Sequence, residues 1–225
     1  MRMEKKEAKE AWVETRTEVD TIDWDGNPIH LEDVPALLNE ENGQIRIFPQ
    51  DVAQAEIAQI ARLHGLEPRD VALLLMVKAR PGVFVNREEI QFKYHINKML
   101  FYQWKEMEKQ GIGETFPHDS FDKADRGPVP TNITEDLSRL ANLGLITTEY
   151  RRWGRRPRDE SLYIVLTPKG STLANELMRL VPQPLVETTH KVKERIFPLT
   201  PEAVKTRVHR EYPEYKSSYT EDDRD

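Results

Sequence analysis

Cysteine is absent from the 225 residues of this sequence. Without thiols the chain forms no disulfide, uses no cysteine nucleophile and holds no zinc finger, which is typical of an intracellular protein. Its length and its 38% hydrophobic content suffice for one good core, so we expect one domain with extensions.

Long apolar runs are missing as well. No segment approaches the roughly 20 apolar residues that are needed to cross a bilayer. The first residues, MRMEKKEAKEAW, lack the apolar core of a signal peptide. With 32% charged residues and a mean hydropathy of -0.69, the sequence predicts a cytoplasmic protein with a well-solvated surface and no membrane partner.

Positive charge is in deficit over the chain as a whole. The formal net charge is -6 and the pI is about 5.6. This balance argues against a protein that coats nucleic acid along its whole surface, so any contact with DNA has to be local.

Patterns typical of catalysis are scarce. The sequence has no glycine-rich phosphate loop, no nucleophile elbow and no His-Glu-x-x-His pair. Glu187 and His190 have the spacing of di-iron helices, but such sites need two copies and further glutamates. The six histidines are dispersed without metal-ligand spacing: His30, His64, His95, His118, His190 and His209. We therefore expect neither an enzyme nor a bound cofactor or metal.

The most informative stretch is RGPVPTNITEDLSRLANLGLITTEYRRWGRRPRDESLYIVLTPKG, residues 126–170. After its Gly-Pro turn, apolar residues at three-and-four spacing predict a helix over 131–143, and Gly144 is a natural left-handed residue to end it. Residues 145–150 and 162–167 mix β-branched, aromatic and aliphatic residues and predict two short strands. The order of helix, strand, basic turn, strand and helix indicates the second half of a winged helix.

These residues carry a family resemblance. The run GPV…DLSRLANLGLI…Y…LTPKG resembles the winged helix-turn-helix domains of bacterial and archaeal transcriptional regulators, over roughly residues 84–175. Residues 98–102, followed by 116–128, are similar to a subgroup that includes antitoxin and proteolytic-adaptor winged helices, and residues 211–215 fit it loosely. The resemblance implies a mainly α fold with a small β-wing (α+β), flanked by helical N- and C-terminal extensions.

Composition and turn signals divide the chain further. We expect a small hairpin or turn at residues 24–28, and then a short helix that carries Leu31, Val34, Leu37 and Leu38. A helical pair is expected to begin at Asp51 and at Pro68. A capping box of Asn86 and Glu89 predicts a long aromatic helix to about residue 109, and residues 119–125 are expected to make about two helical turns. The predicted segments are a flexible charged arm (1–20), an N-terminal helical extension (21–82), the winged helix-turn-helix domain (83–175), C-terminal helices (176–212) and a disordered tail (213–225).

The turn over residues 151–158 is the first candidate for DNA contact. It holds five arginines, and the arginine fork suits phosphate because it donates two hydrogen bonds. Such a tip can lie along the DNA backbone or enter the minor groove, where Trp153 would stack on a sugar or base. The alternative is a solvated hairpin that is basic for solubility, with Trp153 holding it to the domain.

The helix over 131–143 is the second candidate, because several outward side chains carry the donors and acceptors that read base edges. Glu135 and Asp136 would repel phosphates, however, and Thr131 with Asn132 would serve equally well as caps. Arg126 and Lys123, just before the helix, are candidate phosphate contacts. The predicted DNA-binding residues are Arg126, Thr131, Asn132, Thr134, Ser138, Arg139, Asn142, Arg151, Arg152, Trp153, Arg155, Arg156, Arg158 and Lys169.

Two functions from different classes follow. The first is a DNA-binding transcriptional regulator with double-stranded DNA as its partner. The second is a winged-helix protein-interaction module, antitoxin-like or an adaptor, which the acidic balance and the carboxylates on the predicted recognition helix favour. The C-terminal helices offer a homodimer contact, or equally packing within one chain, through Leu173, Leu177, Leu180, Val186 and Ile196.

Overall fold

The computed structural model describes residues 12–22, 27–78, 90–110, 120–124, 127–152 and 160–215. Over these ranges the chain is a mixed α+β protein with seven α-helices and three small antiparallel sheets. None of the helices described is long and apolar enough to cross a membrane. The α+β prediction is confirmed.

The N-terminal part of the described chain is a β-hairpin. Strand β1 (Trp12–Ile22) pairs antiparallel with β2 (Pro28–Asn39), and the short β3 (Ile45–Arg46) pairs with the other edge of β2. Residues 12–20 of the expected arm are therefore strand, and the short helix expected after residue 30 was wrong.

A β-bulge explains why the sequence suggested a helix. The register of the β1–β2 ladder shifts so that Glu32 and Asp33 together oppose one residue of β1. Asp33 takes the left-handed conformation that such bulges use, with a φ of 63°. The extra residue brings Leu31 and Val34, three apart in sequence, into one small buried cluster. That spacing is usually the sign of a helix face.

Helices α1 (Pro49–Leu63) and α2 (Pro68–Lys78) form the predicted pair. Phe48, rather than Asp51, is the N-cap of α1, and the Asp51 carboxylate accepts a 3.3 Å hydrogen bond from the Phe48 N–H. Helix α2 is buried without interruption from Asp70 to Lys78, so it lies at the centre of the core rather than on a surface.

A strand precedes the long aromatic helix. β4 (Ile90–Phe92) pairs with β8 (Glu160–Leu166), and α3 (Lys93–Lys109) follows directly. The predicted helix over these residues thus begins later than expected, because pairing with a distant strand takes up residues 90–92. The capping-box residues, 86 and 89, lie outside the described ranges.

The entry to the predicted recognition helix also differs from expectation. Helical turns were predicted over 119–125, but residues Phe121–Asp122 form the two-residue strand β5. This strand pairs antiparallel with the two-residue strand β6 (Val129–Pro130). The Phe121 ring stacks on Trp104 of α3 at 5.3 Å between ring centroids, so a tertiary contact overrides the local helical preference. Residues 119 and 125–126 are not among those described.

The predicted helix and both strands around the basic turn are present. They are α4 (Ile133–Asn142), β7 (Ile146–Arg152) and β8. β8 is the central strand of a sheet with the order β4-β8-β7. Helix α5 (Pro168–Leu180) follows, with the Thr167 hydroxyl as its N-cap.

The C-terminal helices complete the same core. α6 (Gln183–Ile196) and α7 (Pro201–Glu211) join a buried cluster that runs from α1 to α7. The helices of the segment predicted over 21–82 therefore share one core with the segments predicted over 83–175 and 176–212, while β2 packs on a small separate cluster. The segment 213–215 is a short 3-10 helix, the described part of the expected tail. Of the side chains considered for a dimer contact, Leu177, Val186 and Ile196 are buried within the chain, Leu173 is half-buried and Leu180 is exposed.

Candidate nucleic-acid interface

Helix α4 is fixed by its apolar face and by bonds at its C-terminal end. Ile133, Leu137 and Leu140 are buried, which follows from their three-and-four spacing. At the end of the helix Gly144 takes a φ of 67°, and the Lys169 ammonium donates to the Leu143 carbonyl at 2.9 Å. A cation at the carbonyl end of a helix complements its dipole. Lys169, a predicted phosphate contact, is thus a capping residue here.

The opposite face of α4 presents short polar side chains. Thr134, Ser138 and Asn142 are exposed one turn apart, and the Ser138 hydroxyl donates to the Thr134 carbonyl at 2.9 Å. A shallow open depression of about 500 Å³ runs along this face, lined by Thr134, Glu135, Ser138, Arg139, Asn142 and Leu143. Hydroxyl and amide groups in such a row can donate to and accept from base edges.

Arg139, predicted to contact DNA, binds carboxylates within the protein instead. Its guanidinium donates to both carboxylate oxygens of Asp70 at 2.8 and 2.9 Å and to Asp136 at 2.7 Å. The hydrogen bond that the Asp70 carboxylate accepts is the largest cause of the raised pKa of Arg139. The side chain therefore links α4 to the start of α2. To contact a DNA base, Arg139 would have to break these hydrogen bonds.

Asp136 belongs to the same network and not to the outward face. Its carboxylate is fully buried and accepts from Arg139 and from Arg69, the latter at 3.2 Å. Glu67 lies 3.1 Å from Arg69 and 3.3 Å from Arg139. Asp136 is thus neutralised inside the protein, and among the acidic residues of α4 only Glu135 remains exposed toward a ligand.

The N-terminal residues of α4 are tied to the preceding strands. The Thr131 backbone N–H donates to the Ser120 carbonyl at 3.1 Å, and its hydroxyl donates to the Ser120 hydroxyl at the same distance. Asn132 is the N-cap residue by position, but its side chain makes no capping hydrogen bond, and it is half-buried. Thr131 is exposed beside it, so both remain at the edge of the polar face.

The β7–β8 hairpin extends from the end of α4 toward the basic turn. The last pairs of its ladder are Tyr150 with Leu162, Arg151 with Ser161 and Arg152 with Glu160. The backbone of Arg151 and Arg152 is thus at the far end of the hairpin. The remaining candidates of the turn and its surroundings, Arg126, Trp153, Arg155, Arg156 and Arg158, lie outside the described residues.

Tyr150 was not among the predicted site residues. It lies directly before the arginines and is 73% exposed, an unusual position for so large an aromatic side chain. The available signal was its neighbourhood, an aromatic residue in a strand that leads into a basic turn.

The described residues contain no group of three or more His, Asp or Glu side chains that could hold a metal ion. Comparison of the chain with protein-family models, with curated proteins and with solved structures gave no match.

Proposed function

We propose that this protein is a DNA-binding transcriptional regulator of the winged helix-turn-helix type, with α4 in the major groove and the arginine-rich turn on the backbone or in the minor groove. The proposal rests on the adjacency of α4 and the β7–β8 hairpin. The helix presents an exposed row of Thr134, Ser138 and Asn142, and the hairpin beside it leads into five arginines over residues 151–158.

The dimensions of these elements suit a duplex. Helix α4 has ten residues and is about 15 Å long, and the major groove is about 12 Å wide. The seven residues of β7 extend over about 23 Å, enough to carry the basic turn to a neighbouring phosphate row.

The charge distribution gives α4 and the basic turn different roles in DNA binding. Because Arg139 and Asp136 are paired inside the protein, the exposed face of α4 carries Glu135 and uncharged polar side chains. Such a face supplies little attraction to phosphate. Affinity therefore comes from the arginines of the turn, and sequence preference comes from the polar row on α4.

The proposal is tested with two variants of the full chain. Fluorescence anisotropy would follow binding to random and to selected duplex DNA at two salt concentrations. Changing Arg151, Arg152, Arg155 and Arg156 to Ala is expected to weaken binding to every duplex. Changing Thr134, Ser138 and Asn142 to Ala is expected to reduce the preference for selected DNA by about tenfold or more while leaving random-sequence binding unchanged.

A matched control removes cations from another surface. Arg62, Arg179, Lys191 and Arg210 are exposed and lie away from the hairpin in sequence, and their replacement by Ala lowers the net charge equally. Equal losses in the two four-residue variants would mean that only net charge matters, and the assigned role of the turn would be wrong. No binding by the unchanged protein at low salt would reject DNA binding itself.

A further inference from the structure

Strand β1 presents an open edge. It has 11 residues and pairs on one side with β2, while no other described strand pairs with its second side. The N–H and C=O groups along an open edge form a template for one more strand. The hairpin also stands apart from the main core, on a small cluster of Leu31, Val34 and Ala55.

The two faces of β1 differ in chemistry. On one face Glu14, Glu18 and Asp20 are exposed, with side chains of Glu18 and Asp20 at 74% and 91% exposure. Arg16 on that face is neutralised by Asp33, whose carboxylate lies 3.0 Å from its guanidinium. His30 of β2 lies 2.8 Å from the Asp20 carboxylate and 3.8 Å from that of Glu18, and it adds a positive charge only when it is protonated. Three carboxylates, Glu14, Glu18 and Asp20, still outnumber this one histidine, so the face has an acidic excess.

The other face of β1 continues the small cluster. Thr15, Thr17 and Val19 are half-buried there, and Val19 packs against the cluster. A strand added at this edge would place alternate side chains beside the two faces, because successive residues of a strand point to opposite sides. Aliphatic side chains would extend the cluster, and basic side chains would meet the carboxylates.

A second copy of the chain is a poorer occupant of this edge. Two β1 strands paired antiparallel about Thr17 would place Glu14 opposite Asp20 at both ends, and like charges across strands are destabilising. Arg16 would lie opposite Glu18, but it is already paired with Asp33. We propose that β1 binds an extended segment of a partner protein in which Lys or Arg alternates with aliphatic residues, adding it as a strand. This partner surface shares no residue with α4 or with the basic turn.

The test uses a labelled peptide of alternating Lys and Val, about nine residues long, with the full-length protein. Anisotropy at low salt is expected to show binding, and hydrogen exchange is expected to slow at the amides of β1. The same peptide with Glu in place of Lys should not bind. In an added strand only alternate backbone N–H groups face β1, so two N-methylated forms are compared, one methylated at the backbone nitrogens of the valines and one at those of the lysines. Both keep the charge of the peptide, and the form that loses the N–H groups facing β1 should bind at least about tenfold more weakly.

Protein variants test the assigned surface. Changing Glu14, Glu18 and Asp20 to Lys is expected to weaken peptide binding by at least about tenfold. The control, with the same change in net charge on exposed helical positions, is Glu176→Lys with Glu194→Lys and Glu202→Lys.

Three results would each overturn the proposal. They are no binding of the Lys-Val peptide, binding of both N-methylated forms equal to that of the unmodified peptide, and equal losses in the two triple variants. The comparison of peptides needs only the unchanged protein, so it stands even if a variant fails to fold.

Discussion

Replacing Lys98 by Met should make the protein more stable at pH 6 and less stable near pH 10. Lys98 lies on α3 with a fully buried side chain, and its amine donates to the Pro128 carbonyl at 2.6 Å. The amine is 5.1 Å from the centre of the Tyr94 ring. Burial lowers the pKa of this amine to about 7 from an ordinary value of 10.5.

The sign and the size of the effect follow from this pKa. Between pH 7 and 10.5 the unfolded chain binds the proton more strongly, so the Lys98 contribution to stability rises with pH across this window. At about 1.4 kcal/mol per pH unit, the charged amine destabilises the fold by about 5 kcal/mol below pH 7. The Met variant removes that cost but leaves the Pro128 carbonyl without its donor, which costs about 1–3 kcal/mol.

The expected net change at pH 6 is therefore a gain of about 2–4 kcal/mol. Near pH 10, half a unit below the ordinary value of 10.5, about 0.7 kcal/mol of the charging cost remains, so the expected net change there is a loss of up to about 2 kcal/mol. Urea unfolding followed by circular dichroism at pH 6, 8 and 10 would measure the free energy of unfolding. Lys191→Met, at an exposed position of α6, is the control for loss of a surface lysine. A difference between wild type and Lys98→Met that stays constant from pH 6 to pH 10 would refute this account of the buried amine.

Two further substitutions test the contacts that fix α4 and α5 in the fold. Arg139→Ala should lower the free energy of unfolding by about 3–5 kcal/mol, because it removes a partner from the buried carboxylates of Asp70 and Asp136. Urea unfolding would measure this, and a loss below about 1 kcal/mol would show that the network contributes little. Gly170→Ala should cost several kcal/mol or prevent folding, because a Cβ there would lie 1.9 Å from the Leu145 carbonyl oxygen. Thermal unfolding would measure it, and a melting temperature near that of the wild type would contradict this packing of α5 on the start of β7.

Local patterns in the sequence predicted the elements around the proposed DNA-binding face. The apolar spacing of Ile133, Leu137 and Leu140 and the left-handed Gly144 defined α4 because both signals lie within a single helix. The strands β7 and β8 were likewise predicted from their own residues.

Errors arose where distant residues decide the structure. β4 exists because Ile90 pairs with Val165, a contact that no local pattern reveals. The bulge at Asp33 gave a strand the apolar spacing of a helix.

At the proposed DNA-binding face, too, local patterns predicted some features, while contacts between distant residues determined others. The exposed positions of Thr134, Ser138 and Asn142 followed from helical geometry alone. By its place on the helix, Arg139 was also expected to point outward. Its side chain instead binds Asp70 of α2, which is distant in sequence. Because an arginine on a polar helix face suits both DNA and an internal carboxylate, the sequence could not distinguish the two.

The most direct test of the proposed function is the salt dependence of DNA binding, compared between the wild type and the variant with Arg151, Arg152, Arg155 and Arg156 changed to Ala. Each phosphate contact contributes about 0.9 to the slope of log K against log salt concentration, so the variant should have a slope smaller by about 2–4 and weaker binding at every salt concentration. An unchanged slope, or no binding of duplex DNA by the wild type at low salt, would contradict the assignment of the basic turn to phosphate.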